Sequence, residues 1–147
     1  MAQAQTFRWS GYRVLIGDGA SPEVFSSPCG FTERSFSINR ELAETLTPDC
    51  ADEDAPAWME RDVTSQSATI SGQGVLETTA LPIWIGKLET TESFNARVEL
   101  WRSGSKVGTW EGAFALETFE TSGTRGERVT VNVTMQSDGA VTYTAAT

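Results

Sequence analysis

At 147 residues, with 39% hydrophobic and 10% aromatic side chains, the chain has the size of one domain and enough apolar matter for a core, which excludes a disordered segment. A formal net charge of -9 excludes non-specific attraction of the whole molecule to nucleic-acid phosphates or anionic lipid. Histidine is absent, which removes the commonest general base, the Ser-His and Cys-His nucleophiles and most zinc sites.

From the N-terminus, "MAQAQTFRWS" has neither the apolar core nor the cleavage site of a secretory signal, and no apolar run reaches the length of a membrane span. The expectation is a chain made and folded in the cytoplasm, with no membrane partner. "GYRVLI" alternates Tyr12, Val14 and Ile16 on one face, and "GDGASP" supplies a reversal, so a first hairpin returns through "EVFSSP". "GFTERSFSI" sets Phe36 and Ile38 against Glu33, Ser35 and Ser37.

"TLTPDCADEDAPAWMERDV", residues 45–63, has two prolines, a knot of carboxylates and no apolar periodicity before Trp58. It reads as a long acidic loop, and a loop of that length inside a compact domain signals function or disorder. Asp49 and Glu60 have the first-to-last spacing of a calcium-binding EF-hand loop. However, Ala51 stands where a ligand is wanted and Asp54 where the turn glycine belongs, and no helix pattern flanks the segment. A solvated acidic loop is favoured over a metal site, and no cofactor is implied.

"SQSATISGQGVL" sets Ala68 and Ile70 against Ser67, Thr69, Ser71 and Gln73. Leu81, Trp84, Ile85 and Leu88 then break the two-residue period with i, i+3, i+4, i+7 spacing, predicting one short helix with Thr79 as N-cap, Pro82 in the first turn and Trp84 in the core. "FNARVELW", "RSGSK" and "VGTWEGAFALETF" form a further hairpin. In "RVTVNVTMQSDG", Val129, Val131, Val133 and Met135 oppose Thr130, Asn132, Thr134 and Gln136, and Asp138-Gly139 predicts a hairpin turn into "AVTYTA". The fold class is mainly β: an antiparallel sandwich or partial barrel with one short flanking helix, a single domain over 1–147.

No catalytic constellation emerges. The Asn132 sequon lies mid-strand in a chain without a signal, and Glu33 and Glu117 as strand carboxylates meet water more readily than a glycosidic bond. Cys29 and Cys50 are too few and too far apart for a Cys-rich metal site, leaving free thiols or one disulfide. The polar strand faces are unusual in carrying Ser, Thr, Asn and Gln with an occasional acid and almost no lysine. Such flat faces on long strands pose an edge-pairing hazard that self-assembly would resolve.

In "CGFTERSFSINRE", the loop "PDCADEDAPAWMERDVTSQSATISGQGVL", the helix "ALPIWIGKL" and the closing "ERVTVNVTMQSDGAVTYT", the chain resembles the major tail tube proteins of long-tailed, non-contractile phages and gene transfer agents. The resemblance covers nearly the whole chain. It implies a virion structural protein and not an enzyme, made in the host cytoplasm and assembled as sixfold rings that stack into a hollow tail tube for DNA delivery. The implied partners are further copies of the chain, a tip or initiator protein, a terminator and a tape measure inside the lumen, with DNA only in passage.

By the same resemblance, Ser35, Ser37, Thr69, Ser71, Asn132 and Thr134 line the lumen, with Glu33 and Glu117 as acids there. Asp49, Asp52, Glu53, Asp54, Trp58 and Met59 form a docking arm toward a neighbouring subunit, where Arg34, Arg40, Arg125 or Arg128 would meet the acids. Cys29 and Cys50 bracket one strand and the loop entry, and the choice between two free thiols and one disulfide, formed once a particle leaves the reducing cell, stays open. The alternative reading is a calcium-dependent glycan- or receptor-binding β-sandwich module.

Overall fold

A computed structural model of the chain describes residues 3–19 and 22–145. Among these residues seven strands form one antiparallel sheet: β1 (Tyr12–Gly17), β2 (Phe25–Ser26), β3 (Phe31–Thr47), β4 (Trp58–Val75), β5 (Phe94–Arg102), β6 (Ser105–Ser122) and β7 (Thr130–Ala145). Their order is β2-β1-β5-β6-β7-β4-β3. One helix, α1 (Leu81–Leu88), joins β4 to β5. The expected hairpins at β1–β2 and β5–β6 are present. The second turns on Ser103 and Gly104, both at positive φ (52° and 81°), the backbone that a tight two-residue reversal between twisted strands requires.

The sheet curls without closing. Ile16, Ile70, Val98, Phe114 and Val133, drawn from five strands, are buried in one apolar cluster, as the alternation in their strands dictates. Where β1 and β3 approach each other no ladder forms; instead Arg34 Nη1 donates to the Tyr12 carbonyl at 2.5 Å, and its guanidinium lies 4.0 Å from the Trp9 ring. Trp9 Nε1 in turn donates to the Thr32 carbonyl at 3.0 Å. Side chains thus satisfy carbonyls along a seam that backbone pairing leaves open. Burial, and secondarily the charge of Arg13, hold the Arg34 pKa below the ordinary arginine value. Burial raises the Tyr12 pKa, with Arg34 opposing it.

Trp84 is 1% exposed, with Phe31 edge-on at 6.0 Å and Phe119 at 6.5 Å. Helix α1 does not start as expected. Ala80, not Thr79, is its N-cap and makes no side-chain bond; the Glu77 carboxylate accepts from the Thr79 and Ala80 amides at 2.9 and 3.0 Å instead. Its bond to the Thr79 hydroxyl is the first cause of a Glu77 pKa below the ordinary carboxylate value.

Three other expectations change. The acidic loop is shorter than 45–63, because β3 runs to Thr47 and β4 begins at Trp58, leaving 48–57 as the connection. Cross-strand pairing continues through a region whose two faces both meet water, so no apolar-against-polar alternation announces it. Asp138-Gly139 is not a hairpin. β7 passes through it, pairing with β6 on both sides, and the extra residues form an irregularity opposite Gly112/Phe114 with Gly139 at φ 105°. Finally, Cys29 and Cys50 are free, exposed thiols beyond opposite ends of the 17-residue β3. At a rise of ~3.3 Å per residue they lie roughly 50 Å apart, whereas a disulfide needs Cα atoms within about 7 Å, so no bridge forms within one chain.

Trp84→Ala should lower unfolding free energy by about 3–5 kcal/mol, the cost of emptying a site this size in a packed core. Urea denaturation followed by circular dichroism checks it.

Candidate functional site

The residues read as a polar face share one side of the β3-β4-β7-β6 half of the sheet. Register places Ser37 beside Thr69 and Gln136, Ser35 beside Ser71, Thr134 and Thr118, and Glu33 beside Gln73, Asn132 and Glu120. These rows are tied laterally. Thr69 Oγ1 donates to Gln136 Oε1 at 2.8 Å, Gln136 Nε2 donates to Glu117 Oε2 at 2.5 Å, and Gln73 Nε2 donates to Glu33 Oε2 at 3.1 Å. The Ser35 and Ser71 hydroxyls are also bonded. Glu117 belongs to the face because it sits at the β6 irregularity between Leu116 and Thr118, which turns its carboxylate toward Gln136.

Glu33, Glu117 and Glu120 are the charged members, and in these rows there is no lysine or arginine. Thr118 and Glu120 escaped the sequence reading. Their signal was the alternation of "LETFETS" continued across the irregularity, legible only once the register to β7 was known.

Beyond Ile38 and Ala68 the β3–β4 hairpin has no third strand among the described residues. β7 covers β4 only over Thr69–Val75, while β3 and β4 remain paired out to Thr47 and Trp58. This ribbon projects about 30 Å at the usual strand rise. Its side chains from residue 39 to 47 and from 58 to 67 are all exposed. One face carries the cross-strand pairs Leu42 with Val63 and Leu46 with Met59, each 40–61% exposed. Between them Glu44 and Arg61 form an ion pair at 3.2 Å, half exposed and worth about 0–1 kcal/mol. The opposite face carries Glu41, Asp62 and Glu60.

Trp58, paired with Thr47 at the outer end, is 85% exposed. In the tip, Asp49 Oδ1 accepts from the Ala51 amide at 2.9 Å and Asp52 Oδ1 from the Asp54 amide at 3.3 Å. These carboxylates shape turns. Among the described residues no group of three or more His, Cys, Asp or Glu side chains is placed to hold a metal.

The subunit thus joins a long ribbon, with an apolar stripe on one face, to a sheet whose polar rows carry glutamates and no lysine or arginine. The model of the phage tail tube protein family matches residues 13–143. The chain belongs to that family.

As a tail tube protein it is a structural component of a phage-type tail. Solved structures share its fold. The tail of an empty gene transfer agent particle, determined with sixfold symmetry, superposes with a TM-score of 0.74 at 20% identity, covering 97% of this chain and 100% of that one. The virion of a native gene transfer agent gives 0.69 at 20% identity and the same coverage. The SPP1 tail tube gives 0.68 at 10% identity, covering 96% of this chain and 80% of that one. No curated protein matches.

The ribbon beyond the body buries none of the core side chains. Replacing residues 41–65 by Asn-Gly, a two-residue turn between the paired Arg40 and Gln66, should leave the melting temperature of the body within about 2–3 °C, since surface changes away from packing rarely exceed ~0.5 kcal/mol. Differential scanning calorimetry of the shortened and full chains checks it.

Proposed function

We propose that this tail tube protein polymerises as stacked hexameric rings into the tube of a long, non-contractile tail, with the polar face turned to the channel. The observation that carries the reading is the projecting ribbon. A two-stranded hairpin with exposed Leu42, Leu46, Met59 and Val63 is marginal alone in water and gains from burial against a neighbour. Trp58 is its anchor, because aromatic residues dominate interface energetics, and Asp49, Asp52, Glu53 and Asp54 give the tip its charge. The sixfold symmetry of the related gene transfer agent tail supports the ring number.

In this reading Glu33, Ser35, Ser37, Thr69, Ser71, Glu117, Asn132 and Thr134 line the lumen. A hydrophilic wall with acids and no cations lets DNA slide without phosphate capture. The role is structural rather than catalytic. A tip or initiator protein starts the polymer, a terminator ends it, and a tape measure occupies the lumen during assembly. The subunit is made in the host cytoplasm and works in the virion tail.

Trp58→Ala should leave the circular dichroism of the subunit unchanged and raise the concentration needed for tube formation by about tenfold or more, the loss expected of an interface anchor. Electron microscopy across a dilution series measures it, and unaltered tubes would remove Trp58 from the interface.

Changing both Thr69 and Asn132 to Lys should leave the fold and the tubes intact, since both side chains point away from the core. DNA delivery should fall, and the defect should lessen with salt as phosphate contacts are screened. Normal delivery by particles carrying the double variant would move the channel wall elsewhere.

A further inference from the structure

Although the chain is acidic, Arg8, Arg13 and Arg102, three of its eleven basic side chains, line one open cleft of about 560 Å³ between the N-terminal segment and the Ser103-Gly104 turn. No acid lines it. The cleft is partly built in advance. Arg13 lies 4.6 Å from the Trp101 ring and donates through Nε to the Ser10 carbonyl at 3.4 Å, and Trp101 is held by its own indole bond to Glu99 at 3.0 Å. None of the three arginines forms an ion pair among the described residues.

The acidic tip is in the same condition. Asp49, Asp52, Glu53 and Asp54 form no ion pair among the described residues, and Asp49 and Asp52 are held by turn hydrogen bonds to the backbone. Cleft and tip cannot meet within one subunit. The bonds from Trp9 to Thr32 and from Arg34 to Tyr12 fix the cleft's N-terminal wall beside the root of β3, while the tip lies beyond its far end, roughly 50 Å away along the strand. Other arginines fit the tip less well. Arg34 is engaged at the seam, Arg40 stands on the ribbon itself, and Arg125 and Arg128 flank Glu127.

We infer that the acidic tip of one subunit docks into the Arg8–Arg13–Arg102 cleft of another copy of this chain. Two complementary patches at opposite ends of a subunit make a head-to-tail contact, which repeats without closing and so propagates a stack. The charges set register and speed of encounter, with the ribbon's apolar face and Trp58 supplying affinity. The inference rests on the reading of the ribbon as an intersubunit arm and specifies its receptor.

Charge exchange tests it. Arg8→Glu with Arg102→Glu should fold normally and reduce sedimentable tubes about tenfold or more, and Asp52→Lys with Glu53→Lys should do the same. All four changes in one chain should recover most of the assembly, because the pair is restored with its signs exchanged. Tubes that form equally well without the cleft arginines, or a fourfold variant as defective as either pair, would overturn the pairing.

A second measurement does not require tubes. In the full chain carrying Cys29→Ser and Ser10→Cys, native Cys50 at the tip and the new thiol in the cleft should oxidise into a ladder of dimers, trimers and longer chains on a non-reducing gel. The ladder should shrink at high salt. Dimers alone would mark a symmetric contact that does not propagate, and a ladder that added double-stranded DNA abolishes while a peptide of residues 47–58 does not would assign the cleft to nucleic acid; either outcome would overturn the inference. If the unaltered protein forms no tubes even with the initiator supplied but the ladder persists, the ring-and-tube reading fails and the contact stands.

Discussion

β3 is an edge strand along its whole length, and most of the molecule can be understood from how that edge is left. One side of β3 is fully paired to β4; the other carries no backbone ladder. At its root, the Trp9 indole and the Arg34 guanidinium bridge to β1 through side chains, so the sheet curls around a core without closing. Further out nothing among the described residues covers the edge, and the strand continues past its own body. A long, flat, uncovered edge invites pairing with other chains. Here the invitation is qualified by Glu41 and Glu44 on β3 and by the Glu44–Arg61 pair, charges that discourage indiscriminate β-addition.

The two halves of the sheet divide the labour. Buried side chains concentrate where β1, β4, β5, β6 and β7 enclose Trp84, and that cluster holds the body together whatever the ribbon does. The opposite face of β3-β4-β7-β6 is almost without charge apart from three glutamates, two of which accept hydrogen bonds from glutamines. Stability and surface chemistry therefore sit on opposite sides of the same strands, and the two-residue period of β structure allows each to vary without the other.

Legibility followed burial. Strands with one buried face announced themselves, as at Val131, Val133 and Met135 or Ala68 and Ile70, and the helix was betrayed by the spacing around Trp84. The ribbon was hidden because neither of its faces is core: "TLT" and "WMERDV" pair across a turn with no inward side to mark the alternation. Asp138-Gly139 misled for a different reason. Its preference for positive φ is real at Gly139, but that preference serves a bulge as well as a reversal, and only the partner strand decides between them. The polar-face residues were legible individually, while their lateral rows, and the membership of Thr118 and Glu120, depended on register that no single strand encodes. The arginine cleft was invisible in the sequence, since Arg8 and Arg13 meet Arg102 only through the pairing of β1 with β5.

The lateral ties on the polar face have a kinetic consequence for the proposed channel. Hydroxyls and amides at Ser35, Ser71, Thr69, Gln136 and Gln73 already have partners within the sheet. A polymer passing over them would have to displace those bonds before gaining new ones, and the exchange would be close to energetically neutral. Successive positions along the wall would then differ little in free energy, so friction would be low. The pace of passage would be governed by the driving load rather than by escape from the wall.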